Sequence, residues 1–270
     1  MNVVGIMWGK NEGDILEEVI TDALRHVDSL MVMDDDSTDR SWDIIQSFGS
    51  KLEYVMQRRL APSHSHHPRL WARQHSLEMV RSRYKAEDTW VQVIESDMML
   101  LDTNPRDAIR DHAVKDVAVY WEMINAYRPA GGWGPEVDKW PNWDRSIREV
   151  MPMGHWIETM LYTFRPVPEI VYTELKPWPR GFGAYQLPPG YPPGRENSPL
   201  LAHYGYRGPT HFYSKNSGSK RHPKYHSWVF ENPASVLKTV SMFNGEWNRK
   251  LYSLDREGWI KWVNRKKPSC

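Results

Sequence analysis

The chain has 270 residues, of which 40% are hydrophobic and 26% are charged, and its 35 Lys and Arg nearly balance its 34 Asp and Glu. This length suffices for one large domain or two small ones, and the near-neutral charge argues against a surface built throughout for nucleic acid. The single cysteine, Cys270, excludes an intrachain disulfide and a cysteine-based zinc site. The sequence contains no apolar stretch long enough to span a membrane. We therefore expect a soluble, cytoplasmic protein without a transmembrane segment.

The first part of the chain alternates strand-like and helix-like segments. Short apolar runs predict buried strands at 3–7, 30–33, 52–56, 90–94 and 117–121. Apolar residues at helical spacing predict helices over 15–27, 42–48 and 69–84, and Asn104-Pro105 is typical of the start of another. Strands that alternate with helices of this length predict a mostly parallel sheet covered by helices on both faces.

After residue 128 this alternation fades. Residues 128–209 are rich in Gly, Pro and Trp, and we predict few regular elements there. Exposed Trp rings suit stacking on a sugar or a nucleobase, and core packing of an irregular subdomain is the alternative. Apolar residues continue at helical spacing through Leu251, Leu254, Trp259 and Val263, which predicts a helical or helix-turn-helix tail over 231–270.

Polar and acidic residues follow three of the predicted strands, at 10–12, 34–39 and 95–97. Parallel sheets bind ligands at the carboxyl ends of their strands, and carboxylates gathered there repel one another unless a cation or hydrogen-bond donors compensate. In Glu95-Ser96-Asp97 the two acidic side chains share one side of an extended segment, and their oxygens suit Mg²⁺ or Mn²⁺. For so short a motif, a solvated turn is the alternative.

Taken in order, the segments Lys10-Asn11-Glu12, Val32–Asp39 (V-x-D-D-x-S-T-D), Ala72-Arg73-Gln74 and Glu95-Ser96-Asp97 resemble the nucleotide-sugar-binding half of family 2 glycosyltransferases of the GT-A fold. The short bacterial and phage-type members that begin with K-N-E are the most similar. The resemblance covers roughly residues 1–125. It implies an α/β, Rossmann-like, mostly parallel sheet flanked by helices. Together with the composition and apolar spacing of the later residues, it predicts a nucleotide-sugar-binding half (1–125), an irregular, Trp- and Pro-rich acceptor-binding half with late metal or diphosphate ligands (126–230) and C-terminal helices (231–270).

The resemblance also implies residue roles. Asp34 and Asp35 would hydrogen-bond the pyrimidine edge of the donor nucleotide. Glu95 and Asp97 would hold Mn²⁺ or Mg²⁺ against its diphosphate, although Glu95 stands where the family usually has the shorter Asp. The full set of residues expected at the donor in this half is Asn11, Glu12, Asp34, Asp35, Arg73 and Ser96.

Residues of the second half complete the predicted site. A nucleoside diphosphate develops negative charge as it leaves, and Lys215 and Arg221 are the candidate cations. His203 resembles the late histidine that completes the metal shell in many GT-A enzymes, with a structural histidine as the alternative. An inverting reaction needs a general base; Glu158 is the first candidate, an ordinary helix carboxylate being its alternative reading, and the others are Glu136, Asp138, Asp144 and Glu196.

The predicted function is metal-dependent transfer of a sugar from a nucleotide sugar, with a UDP-sugar favoured, to a hydroxyl acceptor. The acceptor is a glycan or another hydroxyl-bearing substrate, including a modified nucleobase in phage DNA. A nucleotidyltransferase that makes nucleotide sugars is one alternative; it should show a Gly-rich phosphate loop after the first strand, where residues 5–10 match poorly. A non-enzymatic carbohydrate- or nucleic-acid-binding protein is the other, and it gives the ordered acidic segments no role.

Overall fold

The structure is a computed structural model, and it describes residues 1–58, 68–100, 103–127, 153–174, 183–187, 198–205, 251–254 and 260–263. The chain divides into two compact units. The first contains Met1–Met123 and Glu158–Leu201, and the second contains Ile124–Ile157 and Ala202–Cys270. In the described ranges, no helix combines the length and the apolar character needed to cross a membrane. The functional division at residues 125 and 230 stays a prediction.

The described strands, in chain order, are β1 (Asn2–Gly9), β2 (Ser29–Asp34), β3 (Tyr54–Gln57), β4 (Thr89–Glu95), β5 (Met98–Leu100), β6 (Ala118–Tyr127), β7 (Met153–Phe164), β8 (Val171–Glu174), β9 (Gly183–Gln186), β10 (Leu200–His203), β11 (Leu251–Leu254) and β12 (Ile260–Val263). The described α-helices are α1 (Leu16–Ala23), α2 (Ser41–Ser47), α3 (Pro68–Arg83) and α4 (Pro105–His112). Single 3₁₀ turns lie at Gly49–Lys51 and Ala86–Asp88.

Four parallel strands form the centre of the first unit, in the order β3-β2-β1-β4. The apolar residues of β2 and β4 and residues 3–7 of β1 are buried, as expected for strands covered on both faces, whereas those of the edge strand β3 are half-buried. In the register of the sheet, Gly9 lies opposite Asp34 and Trp8 lies opposite Glu95. The carboxyl ends of β1, β2 and β4 therefore meet at one edge.

Helices cover both faces of this parallel core. Helix α1 packs on α2, whereas α3 packs on β1 and β2. Because parallel crossovers are right-handed, the steps from β1 to β2 to β3 put α1 and α2 on one face, and the return from β3 to β4 puts α3 on the other. The predicted mostly parallel α/β sheet is confirmed. From β1 the chain adds β2 and β3 on one side, and it then returns to add β4 on the other side of β1. Open α/β sheets bind ligands at such a switch point in the strand order, here between β1 and β4.

The sheet continues beyond β4 in the order β7-β6-β10-β5, and β7 runs antiparallel to β4. A buried hydrogen-bond chain joins three of these strands: Trp121 Nε1 donates to Thr163 Oγ1 (2.7 Å), which donates to Gln92 Oε1 (2.5 Å). Strands β8 and β9 form a separate antiparallel pair that packs on α3. The segment 128–209 therefore contains more strand than the sequence indicated.

In the second unit, β11 pairs antiparallel with β12 and with residues 153–155 of β7. The predicted helical tail is wrong at these positions. Its apolar spacing fits a helix, but Ile260, Trp262 and Val263 favour a strand, and Gly258 between the two segments disfavours a continuous helix. Pairing with a neighbouring strand overrides the weak helical period. The rest of the predicted tail lies outside the described residues.

Candidate functional site

The ends of β1 and β4 approach each other so closely that position 9 requires glycine. A Cβ on Gly9 would lie 2.0 Å from Oγ and 2.4 Å from Cβ of Ser96. The Ser96 N–H donates to the carbonyl of Trp8 (3.2 Å), and Ser96 and Asp97 are both buried. The turn that carries Asp97 is thus fixed directly against the end of β1.

The K-N-E segment after β1 is bound to the polar loop after β2 by a row of hydrogen bonds. The backbone N–H groups of Asn11, Glu12 and Gly13 donate to Ser37 Oγ (2.8 Å), Ser41 Oγ (2.9 Å) and Asp39 Oδ2 (2.9 Å), respectively. In return, Thr38 N–H donates to Asn11 Oδ1 (2.8 Å). Two motifs more than twenty residues apart therefore form one rigid layer at the switch point.

Asp34 organises the polar loop that follows β2. Its Oδ2 accepts from the N–H of Ser37 (2.9 Å) and from Gln57 Nε2 (3.2 Å), and its Oδ1 accepts from the Ser37 hydroxyl (2.5 Å). The Asp35 N–H donates to the Gly9 carbonyl (3.0 Å). Lys10 Nζ reaches back to the Asp35 carbonyl (2.7 Å) and lies 3.5 Å from its Oδ2. The predicted nucleotide-facing carboxylates are therefore anchored by their own loop and by β1.

A cavity opens beside this layer. Polar and apolar groups from the ends of β1, β2 and the turn after β4, together with α1 and α2, line it: Gly9, Lys10, Glu12, Leu16, Val32, Met33, Asp34, Ser41, Ile45 and Ser96. Three of the predicted site residues, Glu12, Asp34 and Ser96, thus share one concave surface. The lining contains the Glu12 and Asp34 carboxylates and Lys10 beside apolar side chains of α1, α2 and β2.

The Asp39 carboxyl group in this layer has a shifted pKa. Burial would raise the pKa of its carboxyl group, but hydrogen bonds from the Ser41 hydroxyl and from the N–H groups of Ser41 and Gly13 hold that pKa below its ordinary value. The hydrogen bonds favour the charged form. The carboxylate is therefore the form that ties the β1–α1 segment to the start of α2.

A second buried cluster surrounds Arg73 on α3. The guanidinium pairs with Glu95 at the end of β4, and its Nη1 donates to Tyr172 Oη (2.7 Å). The guanidinium also lies over the Tyr172 ring, 4.8 Å from its centroid, and Tyr185 Oη donates to the Arg73 carbonyl (3.1 Å). Burial would lower the pKa of Arg73, but the Glu95 carboxylate raises it above its ordinary value, so the side chain stays charged.

This arrangement changes the interpretation of Glu95-Ser96-Asp97. The chain turns at residues 96 and 97, so the alternation that would put both carboxylates on one face ends at Glu95. Glu95 points to α3 and binds Arg73. In the described part of the chain, no group of three or more His, Cys, Asp and Glu side chains lies close enough to hold a metal ion.

The other predicted site residues fall in different places. Glu158 lies on strand β7, so its alternative reading as a helix carboxylate is wrong; His203 ends β10 and is half-buried. The remaining candidates lie outside the described residues: Glu136, Asp138, Asp144, Glu196, Lys215 and Arg221. Sequence reasoning missed Tyr172 and Tyr185, since they follow Arg73 by about a hundred residues in a segment without clear periodicity.

Comparisons with known proteins give distant similarities. No protein-family model and no curated protein matches the sequence. Among solved structures, S. aureus TarS 1-349 in complex with UDP is 19% identical with a TM-score of 0.33, over 50% of this chain and 38% of that one. Glucosyl-3-phosphoglycerate synthase from Mycobacterium tuberculosis, in complex with Mn²⁺, UDP and phosphoglyceric acid, is 21% identical with a TM-score of 0.31, over 52% of this chain and 46% of that one. The chain thus spans less than half the length of either structure.

Proposed function

We propose that this chain is a glycosyltransferase that moves a sugar from a nucleotide-sugar donor, with a UDP-sugar favoured, to a hydroxyl acceptor, assisted by Mn²⁺ or Mg²⁺. One observation carries the proposal: residues 10–12, 34–39 and 95–97 converge at the switch point between β1 and β4. These are the motifs, in order, by which the sequence resembles family 2 glycosyltransferases. Ligands of open α/β sheets bind at that edge.

The residues of the turn after β4 are compatible with a divalent cation that shares its coordination shell with the donor. Mg²⁺ and similar ions are commonly bound by one or two carboxylates together with substrate phosphates and water. Asp97 supplies such a carboxylate on a turn fixed against β1. The lack of a larger ligand cluster in the described ranges fits an ion that arrives with a diphosphate, and the ion would stabilise the charge of the leaving nucleoside diphosphate.

The other parts of the site belong to the proposal through the resemblance alone. Asn11, Glu12, Asp34, Asp35 and Ser96 line the donor pocket. His203 completes the metal shell, Lys215 and Arg221 bind the diphosphate, and Glu158 or Asp144 acts as general base. The acceptor is a glycan or another hydroxyl-bearing molecule, and neither the described residues nor the comparisons favour a DNA acceptor. We also propose a cytoplasmic location, which the single cysteine of the chain favours.

The loop geometry argues against the nucleotidyltransferase alternative. A phosphate-binding loop offers free backbone N–H groups to the phosphate oxygens. Here the N–H groups of Asn11, Glu12 and Gly13 already donate to side-chain oxygens of the polar loop. Lys10, the cation of that segment, binds Asp35. The segment after β1 is therefore built to hold a loop and not a phosphate.

Ligand-dependent thermal stability tests the proposal. UDP-, GDP-, CMP- and dTDP-sugars are added with and without Mn²⁺ to the wild type, to Asp97→Ala and to Asp88→Ala. Asp88 is an exposed carboxylate at the opposite end of β4, so its removal makes the same charge change away from the switch point. At a ligand concentration of 100 times Kd, we expect Tm to rise by about 5 °C or more.

The proposal predicts a shift that needs both nucleotide and metal, is lost in Asp97→Ala and survives in Asp88→Ala. No shift with any nucleotide sugar contradicts it and favours the binding-protein alternative. A shift retained in Asp97→Ala also contradicts the assignment of the metal to this turn.

A further inference from the structure

The Arg73 cluster connects the turn after β4 to elements far apart in the sequence. Helix α3 supplies Arg73, β4 supplies Glu95, and the β8–β9 pair supplies Tyr172 and Tyr185. The two tyrosine rings contact each other edge to face, with centroids 5.1 Å apart. Both ends of Arg73 are therefore held: the guanidinium by Glu95 and Tyr172, and the backbone carbonyl by Tyr185.

The burial of this pair limits what Glu95 can do. The side chain of Arg73 is 8% exposed and that of Glu95 is 18% exposed. A buried charge that loses its partner is strongly destabilising. If the Glu95 carboxylate moved onto a metal ion, the guanidinium would keep the neutral Tyr172 as its side-chain partner among the residues that the structure describes. A cation and a guanidinium would also compete for one carboxylate. The turn at residues 96 and 97 also ends the strand alternation that would put Asp97 on the same face as Glu95.

Side-chain length points the same way. The proposed family usually has Asp at this position, and this chain has Glu95, which is one methylene longer. The longer side chain lets the Glu95 carboxylate extend from the last residue of β4 to the Arg73 guanidinium on α3. An Asp at position 95 would be suited to a metal on the turn and poorly suited to Arg73.

We propose that Glu95 is a positioning residue and not a metal ligand: with Tyr172 it holds the Arg73 guanidinium at the carboxyl end of β4, where Arg73 binds the donor diphosphate, and coordination within this turn falls to Asp97. This inference rests on the proposed donor site. It separates two functions that the D-x-D resemblance assigns to one pair of carboxylates.

The test measures UDP binding and metal dependence separately, by calorimetry on the full chain. UDP affinity is measured at saturating Mn²⁺, and the Mn²⁺ midpoint is then measured with UDP saturating for each protein. The variants are Glu95→Asp, which restores the family's residue, Glu95→Gln, Tyr172→Phe and Asp97→Asn. Thermal melting without ligand checks that each variant is folded.

The positioning role predicts that Glu95→Asp and Glu95→Gln both weaken UDP binding about tenfold, the value of one hydrogen bond to a charged group. Tyr172→Phe should also weaken UDP binding. None of these three variants should change the Mn²⁺ midpoint by more than about twofold. Asp97→Asn should raise that midpoint at least about tenfold. Tyr172→Phe removes a single hydroxyl, so it tests the cluster even where a Glu95 variant fails to fold.

A metal ligand at position 95 gives the opposite pattern: Glu95→Asp binds UDP and Mn²⁺ as the wild type does, while Glu95→Gln raises the Mn²⁺ midpoint. That result overturns the positioning role and leaves the proposed function intact. A wild type that binds no UDP in the presence of Mn²⁺, and no other nucleoside diphosphate of the panel, overturns the proposed function and this inference with it.

Discussion

Gly9→Ala tests the close approach that defines the switch point. The new Cβ would lie 2.0 Å from Ser96 Oγ, which would have to move by about 1.4 Å to reach an ordinary contact of 3.4 Å. Rotation of the Ser96 side chain cannot relieve the clash, because its Cβ would also be only 2.4 Å away. The backbone bond from Ser96 to Trp8 holds the turn in place. Overpacking of this kind costs about 1–3 kcal/mol, and we expect the upper half of that range.

Urea unfolding of four proteins measures this contact: wild type, Gly9→Ala, Ser96→Gly and the double variant. Removing the Ser96 side chain should recover most of the stability lost in Gly9→Ala, because it removes both clashing atoms. Gly49→Ala is the control, since its added Cβ meets nothing within 4 Å and only its positive φ of 54° is unfavourable. A Gly9→Ala protein within about 0.5 kcal/mol of the wild type, or a double variant without recovery, would refute this packing.

Three further predictions concern the elements that hold the site. Thr163→Val should destabilise the protein by about 2 kcal/mol or more in urea unfolding, because it strands the buried Trp121 N–H and Gln92 carbonyl; a change below 0.5 kcal/mol would show that β7 is not in this register. Asn104→Ala should cost about 1 kcal/mol through loss of the α4 N-cap, whereas Asn104→Ser should keep most of the stability because a serine hydroxyl also caps, and equal losses in both would contradict capping. The pKa of Asp39 is held below its ordinary 3.8, so its stabilisation is present above that pH and disappears as pH falls through the folded-state value. Asp39→Asn should therefore lower Tm at pH 6 and change it little near about pH 2, and an equal loss at both pH values would contradict the assignment.

The parallel core could be predicted from the sequence because each of its signals is local. Buried strands read as short apolar runs, and Asn104-Pro105 marks the start of α4, where the Asn104 side chain accepts a hydrogen bond from the N–H of Asp107 (3.0 Å). The short strand β5 was missed, because three residues after an acidic turn carry too little pattern. At the C-terminal hairpin, the spacing of Leu251 and Leu254 fits a helix, and only the paired strand β12 decides the outcome.

The candidate site was predictable where its motifs follow strands and was missed where the partners are distant in sequence. The expected meeting of residues 10–12 and 34–39 follows from the register of parallel strands. The buried face of α3 contains the apolar Ala72, Leu77 and Val80 but also the polar Arg73 and Ser76. A charged side chain on a buried face contradicts the hydrophobic pattern, and the partners that stabilise it come from β4, β8 and β9.

The donor site can be located in a crystal structure of the chain with UDP and Mn²⁺, in which the manganese is identified by its anomalous scattering. We expect uridine diphosphate over the carboxyl ends of β1, β2 and β4, a manganese peak bonded to the Asp97 carboxylate, and Glu95 still paired with Arg73. A nucleotide bound elsewhere on the chain, or a manganese ion without Asp97 in its shell, would contradict the assignment of this edge of the sheet as a sugar-donor site.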